Sequence, residues 1–335
     1  MTEKKRIVSG MRPTGKLHLG HYFGVLANWK KLQSEYDSYF FIADWHALTT
    51  KFDATDTLCD NVLNVALDWL ACGIDPEHST IYVQSMVPQI AQLHIYLSMI
   101  TPQNWVERDP TLKDMARALR EGGHSEAQVS YGLLGYPVLM SADIMMFNAH
   151  YVPVGVDQIP HVELTRDIIR RFNNTYKTDF FIEPEPLLTQ IPLMKGIDGN
   201  KMGKSFNNDI KISDDEETTT KKIMSAITDR SRLRRDDPGH PEDCEVVFDY
   251  WKIFSDEVKI EEIEGLCRMG QIGCAQCKRE LAKRVNEMLA PIREKRRQLC
   301  ENPKVVREIL LEGSQKAQKD AQIVLDKVKE VVRMY

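Results

Sequence analysis

The opening 21 residues constrain the fold class more than any other stretch. A short apolar run, Ile7-Val8, passes into Met11-Arg12-Pro13-Thr14-Gly15-Lys16-Leu17-His18-Leu19-Gly20-His21 and then into an amphipathic segment. Strand, glycine-containing turn and helix start, in that order, bring free backbone N–H groups and two imidazoles to one point, which suits a phosphate. Gly15 and Gly20 permit positive φ or close approach of a ligand, and His18 and His21, three apart, are neighbours on a first helical turn. Alone, the pattern is equally a plain strand-to-helix connection with two surface histidines.

The following segments extend the alternation. Tyr39-Phe40-Phe41-Ile42-Ala43 reads as a buried strand with Asp44-Trp45-His46 just beyond its end. Residues 58–72 set Val62, Ala66, Trp69 and Leu70 at helical spacing and stop at Gly73, and Ser79-Thr80-Ile81-Tyr82-Val83 returns as a strand. Strand, helix, strand is the signature of a parallel sheet, whose ligands gather at the carboxyl ends of the strands. Residues 86–130 are less regular, with an apolar helix near 90–100, a break at Thr101-Pro102, and Lys113 and Gly122-Gly123 in a polar segment. They read as an insertion whose apolar surface is a candidate dimer contact.

Tyr136-Pro137-Val138-Leu139-Met140-Ser141-Ala142-Asp143 places an acid inside an apolar run that continues to Phe147. A carboxylate there is either solvated on a helix face or buried against a partner, because an unpartnered buried charge is costly. Tyr151-Val152-Pro153-Val154-Gly155 gives another strand from whose end Val156-Asp157-Gln158 emerges, and the helix after it buries Leu164, Ile168 and Phe172 while exposing Arg166, Arg170 and Arg171. Pro184-Glu185-Pro186 and Gly196-Ile197-Asp198-Gly199 punctuate a loop ending in Lys201-Met202-Gly203-Lys204-Ser205. Two lysines three apart beside a glycine make a cationic clamp suited to polyphosphate, although a charge cluster in a loop is commonly just solvated.

Beyond Ser205 the pattern turns acid-rich, base-rich and helical, with helices expected over 218–228, 257–268, 278–299 and 313–335; the last carries Ala317, Ala321, Val324, Val328 and Val331 on one stripe. The expected organisation is a Rossmann-like α/β catalytic domain over 1–205, with the insertion near 86–130, followed by an all-helical domain over 206–335. A net charge of −5 means that any nucleic-acid partner is held by local basic patches and not by the overall field. No stretch approaches the roughly 20 apolar residues that span a bilayer, and the N-terminus lacks the apolar run of a signal peptide, so a cytoplasmic location without membrane attachment is expected.

The two phosphate-type signatures, about 180 residues apart and bracketing a parallel α/β region, carry a resemblance. The chain resembles the class I aminoacyl-tRNA synthetases, with His18-Leu19-Gly20-His21 at the HIGH motif and Lys201 to Ser205 at KMSKS. Within that class it is similar to bacterial tryptophanyl-tRNA synthetases over nearly its whole length, through Ser9 to Gly15, Ala43 to Ala47, Tyr136 to Ile144, and Val152 through Asn173. The resemblance implies an amino-acid pocket at Val8, Gly10, His46, Tyr136, Met140, Asp143, Val152, Val154 and Gln158. The chemistry agrees with it: an indole N–H is a donor only, and Asp143 supplies an acceptor. Tyr136 and Gln158 would hold the amino group, while Met140 and the valines pack the ring.

By the same resemblance, ATP contacts fall on Arg12, Pro13, Thr14, Gly20, His21, Gly155, Val156, Asp157, Leu193, Lys201, Met202, Gly203, Lys204 and Ser205. The implied reaction is in-line attack of the tryptophan carboxylate on the α-phosphate, giving the adenylate and pyrophosphate, then acyl transfer to tRNA(Trp). Such chemistry needs positioning and charge stabilisation more than an enzyme nucleophile, and His18, His21, Lys113, Lys201 and Lys204 with Mg²⁺ are the candidates for it. Gly203 departs from the serine usual at that position, removing a hydroxyl, and Arg12 stands where relatives often carry glutamine. A homodimer is implied, with no DNA partner. Tyrosyl-tRNA synthetase shares the fold and both signatures, but Asp143 and the Val152–Gly155 strand separate the two. A non-catalytic tRNA- or tryptophan-binding paralogue has only Gly203 in its favour.

Four of the seven cysteines, Cys244, Cys267, Cys274 and Cys277, are grouped with 22, six and two residues between successive members. Grouped thiols in a reducing compartment point to a metal. Zinc more often uses two Cys-x-x-Cys knuckles, and only one is present, whereas a four-thiolate cluster accepts uneven spacing. A subset of bacterial tryptophanyl-tRNA synthetases resembles the chain in this spacing, which implies a [4Fe-4S] cluster, with zinc or no metal as alternatives. Arg230, Arg232, Arg234 and Arg235 precede the four thiols, and Lys278, Arg279, Lys283, Arg284, Arg293, Lys295, Arg296 and Arg297 follow them. This is a helix face suited to RNA phosphates and, by the resemblance, to the anticodon.

Overall fold

Strand β1 (Arg6–Met11) pairs in parallel with β2 (Asp37–Ile42), which pairs in parallel with β3 (Ser79–Val83). On its other side β1 meets β4 (Tyr151–Val154), and β4 meets β5 (Glu185–Leu188), giving a parallel five-stranded sheet of order β3-β2-β1-β4-β5. The computed structural model describes residues 4–110, 112–113, 130–188 and 194–335, with Ser205 described by its backbone alone. The strand order reverses between β1 and β4, and the crevice beyond their carboxyl ends is where open α/β sheets bind ligands. Every residue of β3 and all but the first of β2 are buried, as expected of strands covered on both faces.

The chain forms two compact units. The larger comprises Met1–Gly15, Asn28–Gln190 and Asn302–Tyr335, and the smaller comprises Lys16–Ala27 and Ile191–Glu301. In the larger unit Trp29 stacks on Phe40 with ring centroids 4.3 Å apart and meets Trp69 edge-on at 5.0 Å. The helix Leu58–Cys72 ends where expected because Gly73, at φ 98°, takes the left-handed conformation that lets its N–H reach Leu70 O, while Ile74 N–H reaches Trp69 O.

The smaller unit holds the helices Glu216–Ser225, Val247–Phe254, Glu257–Arg268 and Cys274–Glu301. Asp215 and Asp256 cap two of them by accepting from the N–H groups of Thr218 and Lys259. The segment with the two histidines is tied into this unit: Leu19 N–H donates to Ile210 O and Ile212 N–H donates to Leu17 O, both at 2.9 Å.

The boundary expected at 205/206 therefore does not coincide with the division into compact units. The last helix, Pro303–Val332, belongs to the larger unit, where Ala317, Ala321 and Val328 are buried in one core with Tyr39, Tyr82 and Phe147. Its apolar stripe marked a buried face, but not which core would bury it. The elements not expected include β5, hidden by Glu185-Pro186, and the helix Val247–Phe254, too short for periodicity to stand out. Proline in β5 is tolerable because the strand lies at the sheet edge. Part of the 86–130 insertion, including Gly122 and Gly123, and Leu193 of the nucleotide set lie outside the described residues.

Candidate active site and thiol centre

In the larger unit, Gly10, Arg12, Phe41, Ala43, His46, Thr49, Tyr136, Met140, Gln158 and His161 line a cavity of about 230 Å³. An apolar cavity of roughly 150 Å³ admits benzene, so this one suits a larger ring system. Gly10 is required for its shape, since a Cβ there would stand 2.3 Å from the Phe41 ring. Five residues of the amino-acid set, Gly10, His46, Tyr136, Met140 and Gln158, form the wall, and Arg12 joins them from the nucleotide set. Val8, Val152 and Asp143 are buried, and Val154 is half-buried.

Asp143 is 1% exposed, so the acid in the apolar run is buried and partnered. His46 Nε2 lies 2.9 Å from its Oδ2, and Gln84 Nε2 donates to Oδ1 and Oδ2 at 2.8 and 2.9 Å. Burial pushes the carboxyl pKa up, while His46 and then Gln84 pull it back. Gln84 was not picked out from the sequence. Its signal was its place immediately after β3, at the carboxyl end of a strand.

His161 and Asp109 were also missed. His161 Nδ1 lies 2.6 Å from Asp109 Oδ2, with both side chains almost fully buried, and His161 Nε2 lies 3.2 Å from the Tyr136 hydroxyl. Asp157 and Val156 are exposed beyond β4, and Gln158 Nε2 donates to Asp157 Oδ2 at 2.9 Å. Lys113 is exposed.

The smaller unit brings His18, Gly20 and His21 together with the lysine loop. The two imidazoles lie 3.8 Å apart by centroid, and His21 Nδ1 accepts from His18 N–H at 3.3 Å. A Cβ on Gly20 would stand 3.0 Å from the His18 ring, so glycine gives that ring its room, while Met202 Sδ, 3.7 Å away, would be in ordinary contact. Burial lowers the His18 pKa to about 4, with Asp209 opposing and Lys204 adding to the fall; burial, His18 and Lys204 push His21 well below its ordinary value. Both rings are therefore neutral donors and acceptors at neutral pH. Gly203, at φ −166°, has extended backbone that any residue adopts, and its N–H donates to Asn208 Oδ1 at 2.9 Å.

Also in the smaller unit, Cys244, Cys267, Cys274 and Cys277 are half-buried free thiols. Trp251 Nε1–H donates to Cys277 Sγ at 3.2 Å, and Arg232 Nη1 lies 3.9 and 4.0 Å from the sulfurs of Cys267 and Cys274. Burial pushes the Cys277 pKa up to about 12 and raises Cys244 and Cys267, so a bound cation is needed to hold them as thiolates. Among the described residues, the group of metal-ligand side chains whose donor atoms all lie within 4.8 Å of one another is Asp229, His240 and Asp243. Asp229 accepts from the N–H groups of Ser231 and His240 and from the Ser231 hydroxyl, bracing the turn before Cys244.

No helix among the described residues is long and apolar enough to cross a membrane. The sequence matches the family described as tRNA synthetases class I (W and Y) over residues 1–290. It is 44% identical to the tryptophan–tRNA ligase of Thermotoga maritima, with 98% of this chain and 99% of the relative covered. It is 41% identical to that of Aquifex aeolicus, with 98% and 100% covered. Its fold is similar to that of tryptophanyl-tRNA synthetase from Campylobacter jejuni, solved with ADP and tryptophan, at a TM-score of 0.88 and 37% identity over 98% of this chain and 100% of the other. A family match over most of the chain and end-to-end likeness to these relatives lead to one conclusion: the chain belongs to the tryptophan–tRNA ligases, class I aminoacyl-tRNA synthetases that activate L-tryptophan with ATP and transfer it to tRNA.

Proposed function

We propose that the cavity lined by Gly10, His46, Tyr136, Met140 and Gln158 holds tryptophan, with Asp143 as acceptor for the indole N–H and Tyr136 and Gln158 on the amino group. The observation that carries this reading is the fully buried Asp143 carboxylate, set by His46 and Gln84 beside that cavity. A site built around a buried acceptor rejects rings that cannot donate to it. Val8, Val152 and Val154 pack around the ring. For the nucleotide we assign Arg12, Pro13, Thr14, Gly155, Val156, Asp157 and Leu193 as contacts, and likewise Gly20, His21, Lys201, Met202, Gly203, Lys204 and Ser205.

The tryptophan carboxylate attacks the α-phosphate and pyrophosphate leaves. Neutral His18 and His21 donate N–H groups to phosphate oxygens, and Lys113, Lys201 and Lys204, with Mg²⁺, stabilise the developing charge. Exchange of labelled pyrophosphate into ATP tests this: it should proceed with tryptophan and not with tyrosine. Absence of exchange with either, despite tryptophan binding, would return the chain to a non-catalytic binding role.

We further propose that the four cysteines hold a [4Fe-4S] cluster that pins the RNA-facing surface of the smaller unit and takes no part in redox chemistry. The single Cys-x-x-Cys knuckle, Cys274 to Cys277, and the uneven spacing of Cys244 and Cys267 support a cluster over a single zinc ion. The donors from Trp251 and Arg232 suit sulfurs carrying negative charge. The cluster, when bound, would join the turn at Cys244, the end of the helix Glu257–Arg268 and the start of Cys274–Glu301.

Beside it, Arg232, Arg234, Arg235 and Arg279 line a recess of about 500 Å³, which we assign to tRNA phosphates near the anticodon. Iron and acid-labile sulfide at about four per chain after anaerobic purification would support the cluster; zinc instead would replace it. Exchanging the cysteines for serine should impair tRNA charging and leave pyrophosphate exchange in place. We also infer a cytoplasmic homodimer, for which exposed Ile95 and Met99 on the helix Gln89–Ile100 supply an apolar face, testable by sedimentation.

A further inference from the structure

A buried relay ends on the Tyr136 hydroxyl. Asp109 Oδ1 accepts from Leu112 N–H at 3.0 Å, which fixes how the carboxylate is turned, and Oδ2 stands 2.6 Å from His161 Nδ1, an ion-pair contact outside hydrogen-bond geometry. His161, 1% exposed, holds Nε2 3.2 Å from Tyr136 Oη, and Tyr136 and His161 both face the 230 Å³ cavity. A carboxylate oxygen accepts and never donates, so a lone pair on Nδ1 at this distance would oppose it; the ring proton belongs on Nδ1. With that single ring proton, Nε2 is an acceptor. In that form the Tyr136 O–H donates to it, and the oxygen's free lone pairs turn to the cavity. Arg12, in the same wall, offers only donors, so an ammonium group entering there needs acceptors.

We propose that Asp109, acting through His161, sets the polarity of the Tyr136 hydroxyl so that it accepts a hydrogen bond from the ammonium group of bound tryptophan. Asp109 and His161 are positioning residues, and the inference rests on the reading that Tyr136 meets the amino group. The nearly isosteric Asp109→Asn tests it. Its Oδ1 keeps Leu112 N–H, so its amide donates towards Nδ1. The imidazole proton moves to Nε2, Tyr136 becomes the acceptor of that N–H, and its own O–H points at the ammonium. A wrong-tautomer effect of this kind is the one known from the aspartate of the serine-protease triad.

The measurement is the dissociation constant for tryptophan and for indole-3-propionate, which lacks only the amino group, by calorimetry. Asp109→Asn should weaken tryptophan more than about tenfold and change indole-3-propionate less than twofold. Equal losses on both ligands, or no loss on tryptophan, would overturn the proposal. If the wild type shows no preference for tryptophan over indole-3-propionate, the assignment of Tyr136 to the amino group fails first. Should the variant not fold, ¹⁵N NMR of histidine-labelled wild type decides the matter, with the signal assigned through His161→Gln. An Nδ1–H tautomer supports the relay, and an Nε2–H tautomer or an imidazolium refutes it.

Discussion

His46 Nε2 lies 2.9 Å from Asp143 Oδ2, and Gln84 approaches the same carboxylate with a donor to each oxygen. Asp143→Asn preserves the volume but replaces one acceptor oxygen with a donor facing donors. One buried polar group is then unpaired, at a cost of about 1–3 kcal/mol. Steady-state pyrophosphate exchange should show KM for tryptophan raised roughly 5- to 150-fold, with KM for ATP little changed. An equal rise in both would mean that the variant disturbs more than the indole end.

The Gly203 backbone can accept a side chain. Its φ of −166° is not a glycine conformation, and a Cβ there would stand 3.2 Å from the ring of Phe206, which is 67% exposed and free to give way. Gly203→Ser should therefore fold normally and restore a hydroxyl to the lysine loop. KM for ATP should fall about fivefold, within the worth of a hydrogen bond to a charged group, with KM for tryptophan unchanged. An unaltered ATP affinity would show that the Gly203 N–H already does what the hydroxyl does elsewhere.

The sheet was legible in the sequence because strands buried on both faces read as apolar runs, as at Tyr39 to Ala43, and because Gly73 and Gly15 announce turns that need positive φ. Asp143 was legible because a charge among Met140, Ala142, Ile144 and Met145 is expensive unless used. Gln84, Asp109 and His161 were not. Each is a polar residue of ordinary frequency whose role exists only through a partner 25 to 59 positions away along the chain, as Tyr136 is from His161 and Asp143 is from Gln84. The placement of the last helix was hidden for the same reason. Periodicity says that Ala317 and Ala321 face a core and is silent on which one.

The depressed histidines make a pH prediction with a definite sign. The folded-state pKa of His18 is about 4 and that of His21 lies well below its ordinary value, whereas both titrate near 6.5 when unfolded. Between about pH 6.5 and 4 the unfolded chain binds protons that the folded one refuses, so stability falls as pH falls. Replacing His18 by Asn removes part of that slope. Thermal unfolding at pH 7.5 and pH 5 should show a smaller drop in Tm for His18→Asn than for the wild type. Equal drops would mean that the His18 ring is protonated in the folded protein.

The C-terminal helix lies against the sheet at a point with no room for a side chain. A Cβ on Gly313 would come within 1.9 Å of the Ile81 carbonyl oxygen in β3, a backbone atom that cannot step aside. Further along the helix, Ser314 Oγ accepts from Val83 N–H at 3.2 Å and the Tyr39 hydroxyl donates to Asp320 at 2.6 Å. In an exposed helix, Gly to Ala gains about 1 kcal/mol of propensity. Here the overpacking term, about 1–3 kcal/mol or more, opposes it and wins, because moving the helix also strains these two hydrogen bonds. Gly313→Ala should lower the urea midpoint clearly, and Ser314→Ala should lower it by less, since it only leaves Val83 N–H without its partner. If Gly313→Ala instead matches or stabilises the wild type, the helix does not rest on β3 in solution, and Tyr39→Phe should then also leave the midpoint unmoved.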